Sequence, residues 1–153
     1  MSDQASTGAA LASAADFGTY KRRFESDPFN RMLGITLEEC GPGHARICLA
    51  KTSETPQGIG GSVHGGVLAS MVDIAMLAAI FAELRPGQVP AGTADLGITY
   101  MRQAHGDRVF AEARVVKHGR QLANVEVDIT DAEGTLCAKG RVLYAFRVVE
   151  PTG

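Results

Sequence analysis

The stretch GVLASMVDIAMLAAIFA, residues 66–82, decides how this chain folds. It carries a single charge, Asp73, near its middle. An apolar run of this length, followed by Pro86-Gly87, predicts one helix that ends near Leu84. Because a helix that is apolar on nearly every side must be covered by other elements, we expect a sheet to wrap around it.

The lone carboxylate of Asp73 also points to chemistry, because burying it is costly unless it has a partner or a task. We expect Ser70, one turn earlier on the same helix face, to hydrogen-bond the carboxylate. Gly65 and Gly66 begin this helix, where bare N–H groups and the helix dipole can hold a carbonyl oxygen as it becomes an oxyanion. The alternative is that Asp73 simply bonds a neighbouring group in the core.

The spacing between these groups constrains any reaction. Asp73 lies seven residues after Gly66, so at the helical rise it is roughly 10 Å from the N–H groups of its own helix start. Reacting atoms must approach to about 3–3.5 Å. A two-fold dimer, in which each helix start faces the Asp73 of the partner, would remove this conflict.

The second half of the chain is strand-like, with apolar residues alternating with polar ones from Leu96 onward. A hairpin across Gly41-Pro42-Gly43 is predicted before the central helix. Together these segments predict about six antiparallel strands around one helix, an α+β fold. We divide the chain into an N-terminal extension with a helix at 8–25, a domain, and a tail, with boundaries at 1–26, 27–148 and 149–153.

Composition excludes several function classes. The 153 residues carry a net charge of −2 without a basic stripe, which argues against nucleic-acid binding. The central apolar run barely reaches membrane-spanning length and contains a carboxylate, and the N-terminus does not resemble a leader sequence. We therefore expect a cytoplasmic protein whose cysteines are free thiols. We expect no metal site, because the cysteines and histidines lack the spacing of metal ligands. The residues concerned are Cys40, Cys48, Cys137, His44, His64, His105 and His118.

The run from Gly61 to Gly66 reads GSVHGG, and Asp73 follows nine places after its histidine. This pattern resembles the GxxHGG…D/E signature of the PaaI-type hotdog-fold acyl-CoA thioesterases. The resemblance covers roughly residues 28–148. It includes PFNRMLGI before the first strand, DLGITYMRQA after the central helix, and the HGR turn at 118–120.

The resemblance implies a hotdog fold that forms homodimers with a continuous sheet, often paired into tetramers, with active sites at subunit interfaces. It implies hydrolysis of an acyl-CoA, with no cofactor besides that coenzyme A thioester substrate. Asp73 would be the nucleophile or the general base that activates water. Gly65 and Gly66 would supply the oxyanion donor, and His64 would position the loop.

The chain departs from the family pattern at two places. Relatives carry Asn or Gln six residues before the histidine, where Gly58 stands here, and Gln57 is the candidate to fill that role through a one-residue insertion. Some relatives carry Ser or Thr four residues after the acid, where Leu77 stands. The pattern therefore specifies the family more closely than it specifies the groups around Asp73.

Coenzyme A carries phosphates, so basic side chains are expected at the mouth of the site. Arg102, Lys117 and Arg120 lie at strand ends or turns where relatives contact the nucleotide. Ser70 is a further substrate-binding candidate. Residues that could line an acyl pocket are Tyr100, Met76 and Phe81.

Two rival functions remain open on the same fold. A non-catalytic acyl-CoA sensor would bind without turnover; the shifted Gln57 and the missing hydroxyl at Leu77 favour it, and Asp73 argues against it. A hotdog enoyl-CoA hydratase or dehydratase would instead add water to a double bond. The acyl group itself is left open: aryl, phenylacetyl-like and medium-chain groups all fit the pattern.

Overall fold

A computed structural model describes residues 16–150 of the chain. Three α-helices are present in this part: α1 (Phe17–Ser26), α2 (Pro28–Leu33) and α3 (Gly65–Phe81), and a short 3₁₀ turn (Ile59–Gly61) precedes α3. The strands are β1 (Ile35–Gly41), β2 (His44–Ala50), β3 (Gln88–Tyr100), β4 (Arg108–His118), β5 (Leu122–Asp131) and β6 (Leu136–Val148). The predicted helix at 8–25 is present from Phe17, and its residues 8–15 lie outside the described residues. The division into extension, domain and tail stays a prediction.

The short helix α2 is set by its two ends. The Asp27 carboxylate caps it by accepting from the N–H groups of Phe29 and Asn30, and Pro28 occupies the first helical position. Gly34 ends it in the left-handed conformation, with φ of 71°. This arrangement turns the chain directly from α1 into β1.

Helix α3 forms the centre of the molecule, as predicted, and most of its side chains are buried. It ends at Phe81, so the predicted end near Leu84 is wrong by three residues. The N–H of Glu83 donates to Ile80 three residues back at 3.0 Å, which tightens the last turn. Pro86 disfavours helical backbone just beyond.

The six strands form one antiparallel sheet in the order β1-β2-β4-β5-β6-β3, which confirms the predicted α+β architecture. Its concave side packs on α3. Small residues let the helix approach closely: Ala111 and Ala113 face it from β4, and a Cβ added at Gly140 of β6 would lie 2.5 Å from Val72 Cγ1. Small residues at these positions therefore let the helix lie close to the sheet.

Strand β3 lies at one edge of the sheet and pairs with β6. It contains two register shifts, one between Pro90 and Gly92 and one between Thr93 and Asp95. Such bulges bend a strand and redirect its side chains. Within residues 16–150, none of the helices has both the length and the apolarity needed to span a membrane.

Candidate active site

The start of α3 is organised by His64. Its side chain caps the helix, because Nδ1 accepts a hydrogen bond of 2.9 Å from the Gly66 N–H. This bond places the ring proton of a neutral His64 on Nε2. The Gly66 amide is thus already engaged, whereas the Gly65 amide has no acceptor among residues 16–150. The oxyanion role of Gly65 and Gly66 stays a prediction, and of the two amides the one of Gly65 is open.

A cavity of about 480 Å³ opens beside the Gly65 amide. Tyr100 forms part of its wall, and the Tyr100 hydroxyl donates to the Gly65 carbonyl at 2.6 Å. Arg102 lines the same cavity and donates through Nη1 to the Leu136 carbonyl at 3.2 Å. Gly65 therefore borders a space with an aromatic wall and a cation.

The loop before α3 places Gln57 away from this cavity. Gln57 forms an isolated antiparallel bridge with Val63, and Gly58 lines the cavity in its place. The Gln57 side-chain oxygen lies 4.0 Å from where a Cβ would stand on Gly61. The role suggested for Gln57 by the family pattern stays a prediction.

Asp73 is half-buried on α3, and its partner comes from β3. Thr93 Oγ1 donates a hydrogen bond of 2.7 Å to Asp73 Oδ1. The predicted Ser70–Asp73 hydrogen bond is wrong: Ser70 Oγ donates to the Gly66 carbonyl one turn earlier, at 2.9 Å. A serine within a helix commonly bonds back to the carbonyl four residues before it, and this removes Ser70 as a holder of the carboxylate.

The bulges of β3 explain why Thr93 reaches the helix. From Leu96, strict alternation would direct Ala94 and Gly92 toward α3. The register shift after Thr93 leaves Ala94 without a partner on β6, and Thr93 pairs with the buried Tyr144 instead. The alternating pattern alone therefore missed Thr93. In the sequence, Pro90 and Gly92 mark this part of the strand, because proline and glycine within a strand are typical of bulges, and Gly92 adopts a φ of 118°.

Asp73 also affects Tyr144 next to it. Burial, and secondarily the Asp73 carboxylate, raise the pKa of Tyr144 to about 12. Both effects disfavour the charged phenolate, so Tyr144 stays neutral beside the carboxylate. The carboxylate consequently has a hydroxyl donor on one side and an uncharged aromatic wall on another.

Asp73 lies in a second cavity of about 440 Å³, between α1, α2 and α3. This cavity and the one at Gly65 share no lining residues. The geometry therefore separates the carboxylate from the open amide within one protomer, in line with the helical spacing between them.

The three predicted phosphate-binding residues do not come together in one protomer. Arg102 lies just beyond the end of β3, at the Gly65 cavity. Arg120 lies at the opposite end, where its carbonyl accepts from Gln88 Nε2 at the start of β3. Lys117 precedes the same turn. The length of β3 separates these two ends by roughly 40 Å.

Comparison with known proteins decides the family. A family model described as Thioesterase superfamily matches residues 60–138. Acyl-coenzyme A thioesterase 13 of Homo sapiens is 39% identical over 116 residues, which is 74% of this chain and 81% of the relative. The chain belongs to the thioesterase superfamily.

Solved structures of thioesterase-superfamily proteins share the fold. Zebra fish thioesterase superfamily member 2 superposes with a TM-score of 0.74 at 31% identity, covering 85% of this chain and 97% of that one. A mutant of the phenylacetic acid degradation protein PaaI from Thermus thermophilus gives a TM-score of 0.68 at 28% identity, covering 80% and 100%. These matches confirm the PaaI-type hotdog fold for this thioesterase-superfamily member.

Proposed function

We propose that this member of the thioesterase superfamily is an acyl-CoA thioesterase, which hydrolyses an acyl-CoA to the free acid and coenzyme A. One observation carries the proposal: a carboxylate, Asp73, is held by Thr93 in a largely apolar cavity, while the Gly65 amide at a helix N-terminus has no acceptor among residues 16–150. The name of the human relative supports the same substrate class.

In the proposed reaction, Asp73 acts as nucleophile or general base. As a base, it takes a proton from water while the water oxygen bonds to the thioester carbon. The carbonyl oxygen becomes negative and is stabilised by the Gly65 N–H and the positive end of the α3 dipole. When the tetrahedral intermediate collapses, the C–S bond breaks and coenzyme A leaves as a thiolate, which is protonated by the proton that Asp73 took from water. Thr93 orients the carboxylate throughout.

The alternative chemistry has the Asp73 carboxylate attack the thioester carbon itself. This releases coenzyme A and leaves a mixed anhydride, which water then hydrolyses. A single turnover in ¹⁸O-labelled water detects the nucleophilic route in which water attacks the Asp73 carbonyl of the anhydride. The nucleophilic route with attack at the enzyme carbonyl leaves label in Asp73, whereas the general-base route leaves it only in the acid product.

We further propose that the working unit is at least a homodimer and, by family analogy, a dimer of dimers. β3 is a thirteen-residue strand at the sheet edge, with Thr93 and Asp95 exposed. An edge of this length is a template for pairing with a second copy. Antiparallel pairing of two β3 strands would make the sheet continuous and bring the partner subunit's Gly65 toward Asp73.

The same pairing would serve the phosphates of coenzyme A. The end of one β3 would lie beside the start of the other, so Arg102 would approach Lys117 and Arg120 of the partner subunit. Arginine and lysine at such a junction suit phosphate groups. The proposed site needs no metal or cofactor, since one carboxylate and one oxyanion donor suffice to hydrolyse an activated thioester. The free cysteines agree with a cytoplasmic location.

The deciding experiment is thiol release from acyl-CoA substrates by wild-type protein and by Asp73→Asn. Asparagine keeps the shape and can still bond Thr93, but it cannot act as a base. Because general-base groups contribute about 10²–10⁴-fold, kcat should fall by at least about a hundredfold while the melting temperature changes little. Wild-type turnover in the Asp73→Asn protein would overturn the assignment of Asp73.

A non-catalytic acyl-CoA sensor is the second candidate, favoured by the placement of Gln57 outside the Gly65 cavity. It predicts tight acyl-CoA binding with no release of thiol by the wild-type protein. The hydratase alternative gains no support from His64, whose Nδ1 is occupied by the Gly66 N–H. Loss of enoyl-CoA absorbance on addition of protein would nevertheless reveal that activity.

A further inference from the structure

We propose that the cavity beside Asp73 is the acyl-chain site and that its length selects medium-chain acyl groups, with Leu77 as the specificity-determining residue. The inference rests on the proposed thioesterase function. Its starting observation is that Asp73, the group proposed to act at the carbonyl, lies in the wall of a cavity of about 440 Å³. The carbon chain attached to that carbonyl must begin at this wall.

The walls of the cavity suit a hydrocarbon. Phe24 and Tyr20 contribute from α1, Phe29 from α2, and Leu77 and Phe81 from α3. Tyr20 and Phe24 pack against each other with ring centroids 6.3 Å apart. Phe29 is 45% exposed, a large aromatic surface that an acyl chain would cover.

Besides Asp73, the wall holds the polar side chains of Arg23, Asp27 and Asn30, at the end formed by α1 and α2. The Asp27 carboxylate accepts from the N–H groups of Phe29 and Asn30. Asn30, which is buried, donates through Nδ2 to the Phe24 carbonyl at 2.9 Å. An apolar chain can therefore cover the buried Asn30 at little cost, while the exposed Arg23 and Asp27 keep their charges in contact with water at the rim of the cavity.

The length of the cavity follows from one face of α3. Asp73, Leu77 and Phe81 are four residues apart in succession, so they lie in line along the helix. The eight helical steps from Asp73 to Phe81 span about 12 Å at the helical rise. An extended chain advances about 1.2 Å per bond, since three backbone bonds span about 3.3–3.6 Å. About ten bonds therefore fit, which corresponds to an octanoyl to dodecanoyl group.

The two ends of this line differ. Phe81 packs edge-on against the buried Tyr144, with ring centroids 6.4 Å apart, and marks the far end. Leu77 is half-buried and stands one turn beyond Asp73, where the first methylenes of the chain would pass. A larger side chain at Leu77 would block every carbon beyond that point, and a smaller one would widen the path.

The test measures kcat/KM by thiol release for acyl-CoA substrates from butanoyl to hexadecanoyl. Each methylene that enters the cavity should raise kcat/KM by about fourfold up to a maximum near decanoyl. Leu77→Trp should lower the value for decanoyl-CoA by more than tenfold and leave butanoyl-CoA within threefold. Leu77→Ala provides a second test in case the tryptophan variant misfolds, and it should move the maximum of kcat/KM to longer acyl chains.

Val116→Trp is the matched control, because Val116 is 61% exposed on β4 and does not line this cavity. The dependence of kcat/KM on chain length in this variant should equal that of the wild type. Two results overturn the acyl-site assignment alone. In the first, the wild type hydrolyses acyl-CoA with the same kcat/KM at every chain length. In the second, Leu77→Trp lowers kcat/KM equally for all chain lengths. A wild type that releases no thiol overturns the proposed function instead. In that case calorimetric binding of the same series decides the acyl site: affinity that rises with chain length and is lost in Leu77→Trp supports it, and uniform affinity overturns it.

Discussion

Thr93 Oγ1 donates a 2.7 Å hydrogen bond to Asp73 Oδ1 across twenty positions of the chain. The bond joins the middle of the central helix to the edge strand of the sheet. It fixes one carboxylate oxygen, while the other has no hydrogen-bond partner among residues 16–150 and can meet water or a thioester. A carboxylate that is oriented before the substrate arrives loses less rotational freedom during the reaction.

Replacing Thr93 by valine removes the hydroxyl with little change in shape. Hydrogen bonds to charged groups contribute about 1.5–3 kcal/mol, so kcat should fall about ten- to hundredfold. Thr93→Ser keeps the donor and should retain most of the activity. Thiol release measures both variants, and equal activity of valine and serine at this position would rule out an orienting role.

His64→Ala should destabilise the start of α3. Loss of an N-cap acceptor costs about 1 kcal/mol, and it also releases the Gly66 N–H from its present partner. His64→Asn supplies another good capping side chain and should recover most of the lost stability. Urea unfolding followed by circular dichroism measures the difference, and equal midpoints for alanine and asparagine would contradict the capping role.

Gly140→Ala should destabilise the packing of α3 on the sheet. The added Cβ would lie 2.5 Å from Val72 Cγ1, and a β-branched side chain in a helix has little freedom to move aside. We expect a loss of about 1–3 kcal/mol in the free energy of unfolding. Val72→Ala in the same protein should relieve part of it. Gly41→Ala is the control, since a Cβ there meets nothing within 4 Å.

The neutral state of Tyr144 contributes to stability in a defined pH range. Its pKa is raised to about 12 in the folded protein by burial and then by Asp73, against about 10 in an unfolded chain. The folded state binds the phenolic proton more tightly, so this contribution is complete below about pH 10 and disappears as the pH rises toward 12. Tyr144→Phe should weaken the alkaline fall in stability.

Asp73→Asn offers a second measurement on the same pair. Removing the carboxylate should lower the pKa of Tyr144, although burial keeps it above the ordinary value. The chain has three tyrosines and no tryptophan, so tyrosinate absorbance follows the titration directly. An unchanged titration curve would place the Asp73 charge outside the reach of Tyr144.

Much of this protein is determined by local sequence. The apolar run, its single carboxylate and the glycine pair define α3, and period-two alternation defines the strands from Leu96 onward. Such patterns suffice because burial of a helix or of one sheet face depends on residues close together in the chain. The GSVHGG run, with Asp73 nine places after its histidine, also indicates the family.

Only the tertiary structure decided which groups meet. A bulge in β3, which breaks the alternation, brings Thr93 rather than Ser70 to Asp73. The capping bond of His64 leaves Gly65 as the open amide. Helices α1 and α2, remote from α3 in sequence, form the far walls of the cavity at Asp73. These contacts depend on strand register and helix approach, which are set by packing across the whole sheet and cannot be obtained from local periodicity.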